Sequence, residues 1–174
     1  GASTFSLAAH SLVLNHYPGC YVNVGNIVYE PASFNIVPRR ATLSLEFRAP
    51  NVELMKHLRD ALLNKASEAA EKHNLGIEME FLGGCLPATM DQQLQDLIAG
   101  SAEHLGLEYI SIRSGPGHDA QAFADLCPTA MIFAPSVGGA SHSPRENTSW
   151  QDCVNCANAL LHTTLQFIGS KAWT

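Results

Sequence analysis

The stretch PTAMIFAPSVGGASHSP, residues 128–144, reads as a strand that ends abruptly in a loop. From Thr129 to Ala134 there is no polar alternation, so both faces of the strand are apolar. Strands covered on both faces belong to parallel sheets with helices packed on each side, which points to an α/β architecture. Pro135 stops the run, and Gly138-Gly139 introduces a turn. His142 then stands between Ser141 and Ser143, at the carboxyl end of the expected strand. Open α/β sheets place their ligand sites there.

The preceding stretch, EYISIRSGPGHDAQAF (108–123), has the same order of strand, glycine loop and helix. We expect a strand over 108–113 and a helix over about 119–125. Gly115, Gly117 and Ala120 fit G-x-G-x-x-A, the dinucleotide fingerprint. That reading requires a following strand that ends in an acid for the ribose, and here the next strand ends in Pro135-Ser136. Ser114, Ser136, Ser141 and Ser143 lie near His118 and His142, but none sits in the G-x-S-x-G of a serine hydrolase. Two histidines at successive strand ends leave a metal site open. There is no H-E-x-x-H, and no two acidic residues are adjacent.

Helices are expected over about 91–105 and 150–169. The second carries Cys153 and Cys156, which we read as two small apolar residues on one helix face. The first half differs in character. Residues 3–16 have helical apolar spacing and end at Tyr17-Pro18-Gly19. Residues 20–30 read as a strand. In ATLSLEFRA (41–49), Leu43, Leu45 and Phe47 alternate with Thr42, Ser44, Glu46 and Arg48. Asn51 is placed to cap a helix whose apolar face is Met55, Leu58, Leu62, Ala66 and Ala69. IEMEF (77–81) alternates as a further strand. Gly83-Gly84 and Pro87 mark a domain boundary.

Composition narrows the partners. The 174 residues carry a net charge of -6 with only 10 Lys and Arg, and no basic stripe for nucleic acid. No apolar run approaches the roughly 20 residues of a membrane helix. Five cysteines scattered through expected strands and helices suit a reducing, cytoplasmic compartment.

Taken together, SGPGHDAQAFA, PTAMIFAPSVGGASHSP and the upstream NIVPRRATLSLEFR resemble the M20 metallopeptidase clan. The branch they are most similar to is that of N-carbamoyl-L-amino-acid hydrolases, β-ureidopropionases and allantoate amidohydrolases. The resemblance implies an α/β fold in two parts. Residues 1–86 would be a lid or dimerisation domain, α+β of ferredoxin-like βαββαβ type lacking its first strand. Residues 87–174 would be the C-terminal portion of a zinc-peptidase-like catalytic domain. It implies a cofactor of two divalent metal ions, zinc or manganese, and a small substrate bearing a carboxylate. His142 matches the last metal ligand of the family. Asn35 and Arg48 match lid residues that hold the carboxylate, Arg48 reaching across a homodimer. Gly117 matches a loop position whose backbone touches substrate, with His118 beside it. Simpler roles stay open: Asn35 as a turn residue, Arg48 paired with Glu46, and His118 as a structural group of its loop.

The family's other ligands, its general base and the lid's first strand have no counterpart in these residues. The chain alone is therefore expected to be inactive, with no catalytic residue of its own, and to need the missing N-terminal catalytic segment. The alternative is a non-catalytic dimerisation or regulatory module built on the same fold.

Overall fold

The alternating stretch 41–49 forms half of an antiparallel hairpin. Strand β1 (Tyr21–Glu30) pairs with β2 (Arg40–Arg48), from Tyr21 opposite Arg48 to Glu30 opposite Arg40. The register slips once, between Val24 and Asn26, where Gly25 is an extra residue. Along β2 the half-buried residues are Leu43, Leu45 and Phe47, and the exposed ones are Thr42, Ser44, Glu46 and Arg48, as a period of two requires.

The computed structural model describes residues 1–169, and residues 170–174 of the expected second domain lie outside them. The chain divides into two compact units, Gly1–Pro87 and Ala88–Thr174.

In the first unit, helices α1 (Ala2–His16) and α2 (Val52–Lys72) pack with the hairpin. Asn51 caps α2, its side-chain oxygen accepting from Leu54 N at 2.8 Å. The core is Ala9, Val13, Cys20, Leu58 and Leu62, with Val22, Leu45 and Phe47 of the hairpin packed against it. Leu58 and Leu62, four residues apart on α2, are 0% and 1% exposed. Burying such a side chain contributes roughly 1.5–3 kcal/mol.

The second unit is built on α3 (Gln92–His104), α4 (Ala120–Ala124) and α5 (Trp150–Gly169). Asp91 caps α3 by accepting from Leu94 N at 2.9 Å, while its own N–H donates to Thr129 O at 2.8 Å. Ser149 caps α5: its hydroxyl accepts from Asp152 N at 3.1 Å and donates to the Asp152 carboxylate at 2.6 Å. Small residues let α3 and α5 approach. Ser101, Ala102, Ala159 and Thr163 are buried, and the Ser101 and Thr163 hydroxyls meet at 3.1 Å.

Three expected strands do not form ladders. Among the described residues the only sheet is the β1–β2 hairpin, so 77–81, 108–113 and 129–134 are not strands of this structure. Their patterns are those of strands, but a ladder needs a second chain segment alongside, and the bond from Asp91 N to Thr129 O does not extend into one among the described residues. Ile77, Met79 and Phe81 are exposed, as are Tyr109, Ile110 and Ile112. The parallel sheet read from residues 129–134 is thus absent here, although the mixed α/β class stands.

Candidate functional site

His142 is held in an unusual backbone conformation. Its φ is 54°, in the left-handed region, where a residue with a Cβ is disfavoured. The loop around it accounts for this. Val137 N donates to Asn147 O at 2.8 Å and closes the loop at its base. Gly138 and Gly139 take φ of 66° and 68°, which glycine adopts without cost, so the chain can reverse tightly. Ser136 Oγ donates to Ala140 O at 2.5 Å. Beyond the histidine, Ser143 Oγ accepts from Arg145 N at 3.2 Å, and the Glu146 carboxylate accepts from His142 N at 2.7 Å. The His142 backbone is fixed from both sides, and its ring makes no hydrogen bond among the described residues.

Glu146 was not singled out by sequence reasoning. A partial signal was present: Ser143-Pro144-Arg145-Glu146 has the S-x-x-E spacing in which a carboxylate reaches back to the serine's own N–H, and here it reaches one residue further, to His142 N. Gln121 has an analogous role in the other loop, its Oε1 accepting from His118 N at 3.1 Å.

That loop, residues 114–121, is closed by its own side chains. Ser114 Oγ donates to Pro116 O at 3.0 Å and lies 2.9 Å from His118 Nε2. The imidazole meets the Phe133 ring edge-on, with centroids 5.3 Å apart. A Cβ on Gly117 would come within 3.0 Å of Gln121 Oε1, the atom that holds His118 N. Glycine is therefore the residue that leaves this bond undisturbed. The candidate residues His118 and His142 stand in separate loops of the same unit. Among the described residues no three of His, Cys, Asp and Glu gather as a metal-binding set.

Asn35 and Arg48 lie in the first unit. Asn35 is in the loop joining β1 to β2, where its Oδ1 accepts from Ser33 Oγ at 2.7 Å. Arg48 ends β2 on the exposed face and pairs with Glu46, two residues back on the same face. The two are not brought together. Between them runs the whole of β2, whose nine residues span roughly 27 Å at about 3.4 Å per residue.

Comparison with known proteins gives the context for these loops. Residues 7–166 match the model of peptidase family M20/M25/M40. An uncharacterized hydrolase of Haemophilus influenzae is 36% identical over 152 residues, covering 87% of this chain and 37% of the relative. An N-carbamoyl-L-amino-acid amidohydrolase of Rhizobium meliloti is 31% identical, covering 90% of this chain and 38% of its own. Among solved structures, an amidase of the hydantoinase/carbamoylase family from Burkholderia multivorans superposes with a TM-score of 0.86 at 30% identity, over 95% of this chain and 40% of that one. The chain thus spans about two fifths of the length of the proteins it matches. With the match running through both glycine loops and the hairpin, the chain belongs to peptidase family M20/M25/M40.

Proposed function

We propose that this chain is part of a two-metal amidohydrolase that cleaves linear C–N amide bonds of N-carbamoyl amino acids, ureido acids or allantoate. The observation that carries the reading is the His142 backbone. A left-handed histidine costs of the order of 1 kcal/mol, and a loop held in that state by Glu146, Ser143 and two glycines is evidence of a demand on the ring. A neutral imidazole suits zinc or manganese, and His142 fits as one ligand. The described residues do not gather the rest of a donor set. When bound, the two metals polarise a carbonyl and activate water.

The roles proposed for the chain's own residues follow from their chemistry. The Arg48 guanidinium offers a planar fork to a substrate carboxylate, and it pairs with the Glu46 carboxylate on the strand's exposed face. Asn35 supplies an amide to the same carboxylate. Because the two stand at opposite ends of β2, one carboxylate reaches both only if they come from two copies of the chain, which supports a homodimer. Gly117 offers backbone, and His118 its ring, to the part of the substrate undergoing hydrolysis. Residues 1–86 serve as the lid and 87–174 as the C-terminal part of the catalytic domain. In a ferredoxin-like sheet a central strand would lie between residues 77–81 and the hairpin, which accounts for the unpaired 77–81. None of the five cysteines forms a disulfide in the structure, in keeping with a cytoplasmic protein, and no described helix is long and apolar enough to cross a membrane.

The test is ammonia release from N-carbamoyl-L-amino acids, ureidopropionate and allantoate by the complete protein with zinc or manganese. No turnover of any of them by metal-loaded protein defeats the proposal. The chain alone should be inactive, lacking a base and most ligands. A second reading is a non-catalytic dimerisation or regulatory module built on the same fold. A neighbouring reading frame that encodes no further ligands would support it.

A further inference from the structure

We propose that Ser114 is a positioning residue for His118: it fixes the proton of the imidazole on Nε2 and so presents Nδ1 as a hydrogen-bond acceptor for an N–H group of the substrate. The inference rests on the proposed substrate role of His118, and its first half stands on geometry alone. A serine hydroxyl has one proton to give. Ser114 gives it to Pro116 O, a carbonyl that can only accept, at 3.0 Å. With that proton given to Pro116 O, the serine oxygen is left as acceptor at the 2.9 Å contact with His118 Nε2, and the hydrogen of the ring is assigned to Nε2. In the neutral ring Nδ1 is then the bare nitrogen.

The rest of the loop fixes the backbone that carries the ring. His118 N donates to Gln121 Oε1 at 3.1 Å, and His118 O accepts from Gln121 N at 2.9 Å, so the backbone is held on both sides. Phe133 packs against the ring at a 65° interplanar angle. Nδ1 has no partner among the described residues, and His118 is exposed. The free site on the ring is an acceptor. The groups it suits are the N–H donors of a ureido or carbamoyl substrate, and it discriminates against an ester oxygen at the same place, which brings no hydrogen.

The experiment is nitrogen NMR of the protein with ring-15N histidine, with the His118 signals identified by their loss in His118→Gln. In the wild type the neutral ring should be the Nε2–H form. Ser114→Ala should give a mixture of the two tautomers, and Ser114→Thr, which keeps a hydroxyl, should restore the Nε2–H form. A wild-type Nδ1–H ring, or an unchanged tautomer in Ser114→Ala, overturns the proposal. In the complete enzyme Ser114→Ala should lower kcat/KM by about tenfold, one charge-assisted or well-placed hydrogen bond's worth, with Ser114→Thr recovering most of it. If His118→Ala leaves kcat/KM unchanged while the tautomer responds to Ser114, the substrate role of His118 fails and the serine's hold on the ring stands.

Discussion

Arg48 and Asn35 stand at opposite ends of one hairpin: Arg48 faces Tyr21 where the strands begin and end, and Asn35 lies in the loop that joins them. A pair that serves one carboxylate from such positions must be assembled from two chains. In the complete enzyme, Arg48→Ala and Asn35→Ala should each be impaired, and co-expressed variants should recover about a quarter of wild-type activity, because half of the dimers are mixed and each mixed dimer rebuilds one of its two sites. No recovery would place both residues in one subunit or neither in the site.

Arg48→Ala should reduce kcat/KM at least about tenfold, since charge-assisted hydrogen bonds contribute roughly 1.5–3 kcal/mol. Arg48→Lys should recover little of this, a point charge being no substitute for the fork. A substrate analogue without its carboxylate should be handled alike by wild type and Arg48→Ala. If both proteins discriminate equally against that analogue, Arg48 is a surface residue paired with Glu46 and nothing more.

His142 offers a separation of stability from function. His142→Gly removes a left-handed residue with a Cβ and should stabilise the fold by roughly 1 kcal/mol. His142→Ala keeps the strained φ and should not stabilise. Both should lower metal content measured by elemental analysis on the complete protein. Equal thermal midpoints for the glycine variant and the wild type would mean that the loop carries no strain.

Leu58→Ala should destabilise by about 2–5 kcal/mol in urea unfolding, because its side chain is wholly buried and α2 cannot close the space. Leu7→Ala, on the exposed side of α1, should fall within about 0.5 kcal/mol of wild type.

Cys156 should be the slowest of the α5 thiols to alkylate. Burial, and then Asp152 and Cys153, push its thiol up from the ordinary range, leaving less thiolate at neutral pH. The sign for stability follows. The neutral thiol is favoured in the folded chain, so this contribution is fully present below the unfolded thiol pKa of about 8.5 and is lost as pH rises through the raised folded value. Faster labelling of Cys156 than of the exposed Cys153 would contradict this, and would reopen the Cys-x-x-Cys as a reactive pair.

The sequence by itself determined what is local. The alternation of Leu43, Leu45 and Phe47 set the face of β2. The four-residue spacing of Leu58 and Leu62 set the buried side of α2. Asn51 announced a helix start, and each of these depends on a few neighbouring residues. Family membership was also legible, because three motifs in order are carried by the residues themselves.

What only the tertiary structure decided is pairing. IEMEF and TAMIFA have strand patterns, yet a strand exists only where another segment runs alongside as a ladder, and among the described residues the bond from Asp91 N to Thr129 O does not extend into one. The φ of His142, the choice of His142 N as the donor to Glu146 and the contact of Ser114 with His118 were likewise invisible in the sequence. A side chain's hydrogen-bond partner is fixed by how the loop closes, and loop closure is a property of the folded backbone. The separation of Asn35 from Arg48 is the same kind of fact: thirteen positions of sequence became opposite ends of a hairpin once β2 ran extended between them.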